Sequence, residues 1–166
     1  MFSVGEYISY GNNGICKVSE ICMMQLTKDM PKKEYYVLQP LHEAAGKIYI
    51  AVDNQKVLMR SLMPKAEANR LLNEAGSVAV FAEKNPRETE EEYKSALRSG
   101  DWNQWMRIVK TVRIKKKSRE DQGKKMTASD ERYLREATEK LTEELGFVLE
   151  LDKEETSSRL SAALAN

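Results

Sequence analysis

The sequence predicts an α+β fold: a small β-barrel-like module followed by an all-helical domain. Three observations predict it. Five short segments rich in β-branched and aromatic residues crowd the chain before Arg60, separated by turn residues. Pro64 then marks a change from period-two alternation to helical spacing. Beyond it, apolar stripes at i, i+3, i+4 and i+7 recur between helix-capping residues to the end of the chain. Of the 166 residues, 41% are hydrophobic and 32% charged, enough to build a core and too apolar for a disordered chain. The boundary is placed between residues 62 and 63.

The first two strands form a hairpin. Val4, Tyr7, Ile8 and Tyr10 run into Gly11-Asn12-Asn13-Gly14, and Ile15, Val18 and Ile21 follow. Glycine and asparagine accept positive φ at little cost, which makes this tetrad a turn. Asp29-Met30-Pro31 marks the next turn, and Glu34 to Leu38 the third strand, with Tyr35, Val37 and Gln39 on one face and Tyr36, Leu38 and Pro40 on the other. The strand Lys47 to Val52 places Ile48, Ile50 and Val52 towards a core and Lys47, Tyr49 and Ala51 on the opposite face. Lys56 to Met59 reads as the fifth strand.

In the second domain, Ala66 to Leu72 is a short helix stopped by Gly76, and Ser77 to Arg87 carries no periodicity that assigns an element. Thr89-Glu90-Glu91-Glu92 has the form of a capping box opening a helix that ends near Ser99-Gly100. Asp101 caps the next helix, whose stripe is Trp102, Trp105, Met106, Val109 and Val112. That helix is expected to end or leave the core near Ile114, since Arg113 and Lys116 fall on its apolar side. Thr127 or Ser129 opens a third long helix, lined by Tyr133, Leu134, Ala137, Leu141 and Leu145 and followed by Gly146. Glu154 to Leu164 is the last amphipathic segment.

Several chemistries find no support in the residues. There is one histidine, His42, and the two cysteines, Cys16 and Cys22, form no Cys-x-x-Cys pair. They read as reduced structural thiols. No phosphate-binding glycine loop, nucleophile elbow or His-Glu-x-x-His motif occurs. The expectation is therefore a protein that is not an enzyme and has no metal, cofactor or small-molecule substrate. No apolar run approaches the roughly 20 residues that span a bilayer, and no secretory signal opens the sequence, so a soluble cytoplasmic protein is expected. Charge is segregated. Asp101 to Lys125 holds nine basic and three acidic residues, net +6, and Met126 to Asn166 holds five basic and ten acidic, net −5. Such asymmetry speaks about partners rather than fold.

Val4-Gly5-Glu6-Tyr7-Ile8, the Asn13-Gly14 turn, Glu34-Tyr35-Tyr36-Val37-Leu38 and Ile48-Tyr49-Ile50-Ala51-Val52-Asp53-Asn54 occur in an order and spacing of their own. That succession resembles the RNA-polymerase-interacting module of the CarD family of bacterial transcription regulators, a module also found in the transcription-repair coupling factor. On physics alone, Tyr36 and Tyr49 read as cross-strand packing. The resemblance implies instead that Tyr36, Lys47, Tyr49, Ile50 and Ala51 contact the β subunit of RNA polymerase, with Ala51 standing where some members have arginine. It further implies that the helical domain touches promoter DNA, with Arg87, Lys94, Arg98, Lys125 and Arg132 as phosphate contacts. The family's aromatic wedge has no counterpart: its position falls near Asn85-Pro86, or on Thr89 if a gap is allowed. Trp102 and Trp105 lie on an apolar stripe and are assigned to the core. DNA binding is expected to be weak and largely independent of sequence. The alternative is a protein–protein adaptor with a Tudor- or SH3-like module and a helical scaffold that binds no DNA.

Overall fold

The computed structural model describes residues 1–43 and 45–165, and the chain divides into two units, Met1–Leu62 and Met63–Asn166. The first unit is built on strands β1 (Tyr7–Tyr10), β2 (Gly14–Met24), β3 (Lys33–Pro40), β4 (Ile48–Ala51) and β5 (Met59–Ser61). They form one antiparallel sheet in the order β4-β3-β2-β1-β5. The hairpin turn is a single 3-10 turn, Gly11–Asn13. Gly11 has φ 44° and packs so closely that a Cβ would stand 2.8 Å from Val57 Cγ1, so both the conformation and the space require glycine there.

Two features differ from the sequence expectation. The sheet does not close into a barrel: β4 and β5 remain its two edges. A groove of about 320 Å³, lined by Phe2, Tyr36, Val52, Val57 and Met59 among others, marks the open side. The fifth strand also begins at Met59 instead of Lys56. The Asn54 side chain accepts from Lys56 N–H (3.0 Å) and donates to Val57 O (2.9 Å), which holds this stretch as a turn.

The core of this unit is Ile8, Tyr10, Cys16, Val18, Tyr36 and Leu38, with Phe2, Ile21, Ile48 and Ile50 packed against it. A bulge at Ser19 sets which β2 residues reach it. Val18 pairs with Leu38 and Glu20 with Val37, so one residue is skipped and the faces exchange. Without the skip, Glu20 would share the inward face of Cys16 and Val18. With it, Ile21 points inward opposite Tyr36, and Cys22 turns outward opposite Tyr35. The Ser19 hydroxyl donates to Val37 O at 2.9 Å and satisfies the disrupted ladder.

The second unit contains α1 (Lys65–Asn73), α2 (Pro86–Arg98), α3 (Trp102–Asp121), α4 (Ala128–Leu149) and α5 (Lys153–Leu164). Its core gathers Leu71, Phe81, Tyr93, Trp105, Met106, Ile108, Val109, Val112, Tyr133, Leu141, Leu145 and Leu160. Asp101 caps α3 and Thr127 caps α4, each side chain accepting a first-turn amide. The α2 cap is Asn85, which accepts from Glu88 N–H at 2.9 Å with Pro86 at the first helical position. Thr89 therefore lies inside the helix and does not cap it. Helix α3 runs past Ile114 to Asp121, and Arg113 stays half-buried on it, donating to Ser161 Oγ (3.2 Å). Burial holds the Arg113 guanidinium below its ordinary pKa.

Gly146 does not stop α4. A Cβ there would meet Thr156 Oγ1 at 2.9 Å, so the glycine serves the close approach of α5 to α4. The helix stops at Glu150, which adopts the left-handed conformation with φ 56°. The segment between α1 and α2 is tied down by side chains of α3. Phe81 N–H donates to the Thr111 hydroxyl (2.9 Å), Arg107 to Ala79 O (3.1 Å) and Lys110 to Val78 O (2.7 Å). The Arg107 guanidinium also lies 4.0 Å from the Phe81 ring centre.

Candidate functional site

Each unit presents one surface of interest. In the sheet unit it is the face turned away from the core, on the β2-β3-β4 side. Antiparallel sheets with one covered face normally place polar residues on the other. Here the outer positions are Tyr49 and Ala51 on β4, Tyr35 and Val37 on β3, and Cys22 and Glu20 on β2, in the cross-strand rows Ala51–Tyr35–Cys22 and Tyr49–Val37–Glu20. Tyr35 and Val37 are largely covered, whereas Tyr49 is 48% exposed. The hairpin joining β2 and β3 adds exposed Leu26 and Met30, and Gln25 Nε2 braces its loop by donating to Lys28 O and Met30 O. Lys33 and Asp53 form an ion pair of 3.5 Å beside this face. Among the described residues, strand β4 has β3 on one side and no strand on the other, which leaves its outer main-chain edge available to a partner strand.

This arrangement divides the five residues expected to contact a partner. Tyr49 and Ala51 lie on the outer face, and Lys47 is exposed in the connection that enters β4. Tyr36 and Ile50 do not join them. They pair across β3 and β4 on the core side, where Tyr36 is 1% exposed and its hydroxyl accepts the Phe2 N–H at 3.0 Å. The Phe2 ring packs 5.8 Å from the Tyr36 ring. The period of two that separates Tyr49 from Ile50 also removes Tyr36 from the outer face once the register is known. Sequence reasoning missed Tyr35, Cys22 and the apolar hairpin tip, since the bulge that turns Cys22 outward leaves no signal in composition.

In the helical unit the surface is charged. Helix α2 carries Arg87, Lys94 and Arg98 against Glu88, Glu90, Glu91 and Glu92. Arg87 pairs with Glu91 (3.7 Å) and Lys94 with Glu90 (3.6 Å). Arg132 of α4 reaches across to the same Glu90 carboxylate (3.2 Å), donates to Tyr133 Oη (3.0 Å) and lies 4.8 Å from the Tyr133 ring centre. Lys94, with Arg132 and the Tyr133 hydroxyl, holds the Glu90 carboxyl below its ordinary pKa. Arg98 and Lys125 are exposed. Trp105 is buried, its Nε1–H donating to Leu97 O (3.2 Å), and half-buried Trp102 donates to Glu67 (3.4 Å). Among the described residues, no group of three His, Cys, Asp or Glu side chains is placed to hold a metal ion. Among the described residues, Cys16 and Cys22 form no disulfide, and no helix is long and apolar enough to cross a membrane.

No curated protein matches the chain. A family model does, over the sheet unit: residues 2–63 match the CarD-like/TRCF RID domain, and the N-terminal unit is an RNA-polymerase-interacting domain of that family.

Proposed function

We propose that this chain is a cytoplasmic transcription regulator that docks on the β subunit of RNA polymerase through its sheet unit and sets its helical unit against promoter DNA. It is not an enzyme. Its effect is linkage: by binding the open promoter complex more tightly than the closed one, it shifts that equilibrium by its differential affinity and no more. The observation that carries the reading is the family match over residues 2–63, on a unit whose outer face offers Tyr49, Ala51 and the open β4 edge. A partner strand adding to β4 would gain main-chain hydrogen bonds, with Tyr49 and Lys47 supplying specificity.

The DNA half of the proposal is supported by the net positive stretch from Asp101 to Lys125. Without an aromatic wedge, contact with DNA is expected through phosphates, with little sequence preference and only a modest preference for an opened fork over duplex. The test is a pull-down of polymerase subunits with the parent chain and with Tyr49→Glu, read alongside the lifetime of open complexes. Capture of the β subunit by the parent, and its loss in Tyr49→Glu, is the expected result. Capture of a different protein and no polymerase would sink the reading in favour of an adaptor.

A further inference from the structure

We propose that the helical unit meets duplex DNA with the end of α3 and the turn into α4, through Lys116, Lys117, Lys124 and Lys125, and that α2 contributes less. The inference rests on the DNA-binding reading above and names the surface that performs it.

The net +6 stretch contains nine basic residues, and the structure shows which of them are already engaged. Arg107 and Lys110 donate to the carbonyls of Ala79 and Val78 and hold the segment before α2. Arg113 is half-buried against Ser161. Lys115 donates to Tyr93 Oη (3.1 Å) and lies 5.4 Å from the Tyr93 ring centre. Arg119 turns back to donate to Lys125 O at 2.7 Å. Four lysines remain, all exposed. Among the described residues, the ammonium groups of Lys117, Lys124 and Lys125 meet no carboxylate. Lys116 reaches Glu120 only at 4.0 Å, with both side chains about half exposed, a contact of little worth in water.

These four charges are held in place by the backbone. Gly123, at φ 72°, ends α3, with Gly123 N–H donating to Glu120 O (2.9 Å) and Lys124 N–H to Arg119 O (2.8 Å). That pair of bonds is the Schellman closure of a helix end. With the Arg119 side chain bonded to Lys125 O, the turn carrying Lys124 and Lys125 is tied to the last turns that carry Lys116 and Lys117. From Lys116 to the turn is about 10 Å along the helix. That span suits contact with several phosphates of one strand, which follow one another at roughly 3.4 Å along the duplex axis.

Helix α2 is the weaker candidate on the same reasoning. It carries four carboxylates against three cations, and two of those cations are paired within the helix. A phosphate approaching Arg87 or Lys94 must displace Glu91 or Glu90 and meets the repulsion of the remaining acids. The lysines at the end of α3 are ammonium point charges with no aromatic side chain among them, which suits phosphates better than bases.

The experiment titrates labelled duplex DNA with the whole 166-residue chain, alone and with polymerase present, between about 50 and 200 mM salt. The variants are K116Q/K117Q/K124Q/K125Q and R87Q/K94Q/R98Q, each checked for parental helicity and melting temperature by circular dichroism. The expected result is that the α3 variant binds at least about tenfold more weakly at the lower salt. The slope of log K against log salt should flatten by about 0.9 for each phosphate that is no longer neutralised. The α2 variant should weaken distinctly less on both measures. If the parent binds DNA and the α3 variant matches it in affinity and slope, the proposal is overturned while DNA binding stands. If the parent binds no duplex at any salt, with or without polymerase, the DNA-binding reading falls and takes the proposal with it. If the α3 variant keeps its DNA affinity and loses polymerase in a pull-down, the lysines face a protein, and the proposal is again overturned.

Discussion

The two units use their exposed surfaces in opposite ways. The sheet unit leaves apolar side chains outside: Tyr49 on β4 and Met23, Leu26 and Met30 around the β2–β3 hairpin. The helical unit packs most of its aromatic residues, Phe81, Tyr93, Trp105 and Tyr133, into its core and shows charge instead. Contact through apolar surface depends on shape and changes little with salt, whereas contact through lysines weakens as salt rises. Under the proposed function, one chain would therefore hold its two partners by attachments that ionic strength can separate. Raising the salt should loosen the helical unit from a polyanion well before it loosens the sheet unit from a protein.

The largest effect is expected inside the helical unit. Trp105→Ala removes a buried indole and should cost about 3–5 kcal/mol of stability, seen as a lower denaturant midpoint. A variant that kept its midpoint and lost an effect on open complexes would undo this contrast, because a core tryptophan would then be acting at the surface. Next, Tyr49→Ala should reduce polymerase affinity by about tenfold with an unchanged melting temperature, as an exposed aromatic anchor should. Ile50→Glu makes the internal control for that result. It places a carboxylate on the core face and should unfold the sheet unit, so any drop in binding it causes says nothing about the interface.

A smaller effect probes the inner side of the sheet unit. Tyr36→Phe keeps the ring packed near Phe2 and deletes the acceptor of the Phe2 N–H, for an expected cost of about 1 kcal/mol, measurable by chemical denaturation. The smallest concerns pH. Glu90 has a lowered carboxyl pKa in the folded unit, so its stabilising contribution is present above the unfolded carboxylate value and disappears as pH falls through the folded value. The tie between α2 and α4 should therefore weaken only in acid. Glu90→Gln should leave the helical unit's acid transition less steep, and an unchanged acid transition would show that the pairing with Lys94 and Arg132 contributes nothing.

Features that depend on near neighbours along the chain were legible in the residues alone. Alternation separated Tyr49 and Ala51 from Ile48 and Ile50, and helical spacing put Trp105 in a core. Asp101 was readable as a cap, and Thr127 as one of two candidates beside Ser129, because a cap acts on an amide two or three residues away. Even a local signal can mislead: Thr89 reads as a helix start, but the chain starts that helix at Pro86 with Asn85 as its cap. Features that require distant segments to meet were settled only by packing. The open sheet followed from which strands pair, and the outward turn of Cys22 from a bulge opposite β3. Gly146 has the sequence context of a stop, but the approach of α5 gives it a different role. The same holds for charge. A count from sequence treats nine cations as equivalent, but Arg107 finds its carbonyl 28 residues away, Arg113 its hydroxyl 48 away and Lys115 its phenol 22 away. Ion pairs and side-chain hydrogen bonds form wherever folding brings a donor to an acceptor, so which lysines remain open to a partner is written in the packing.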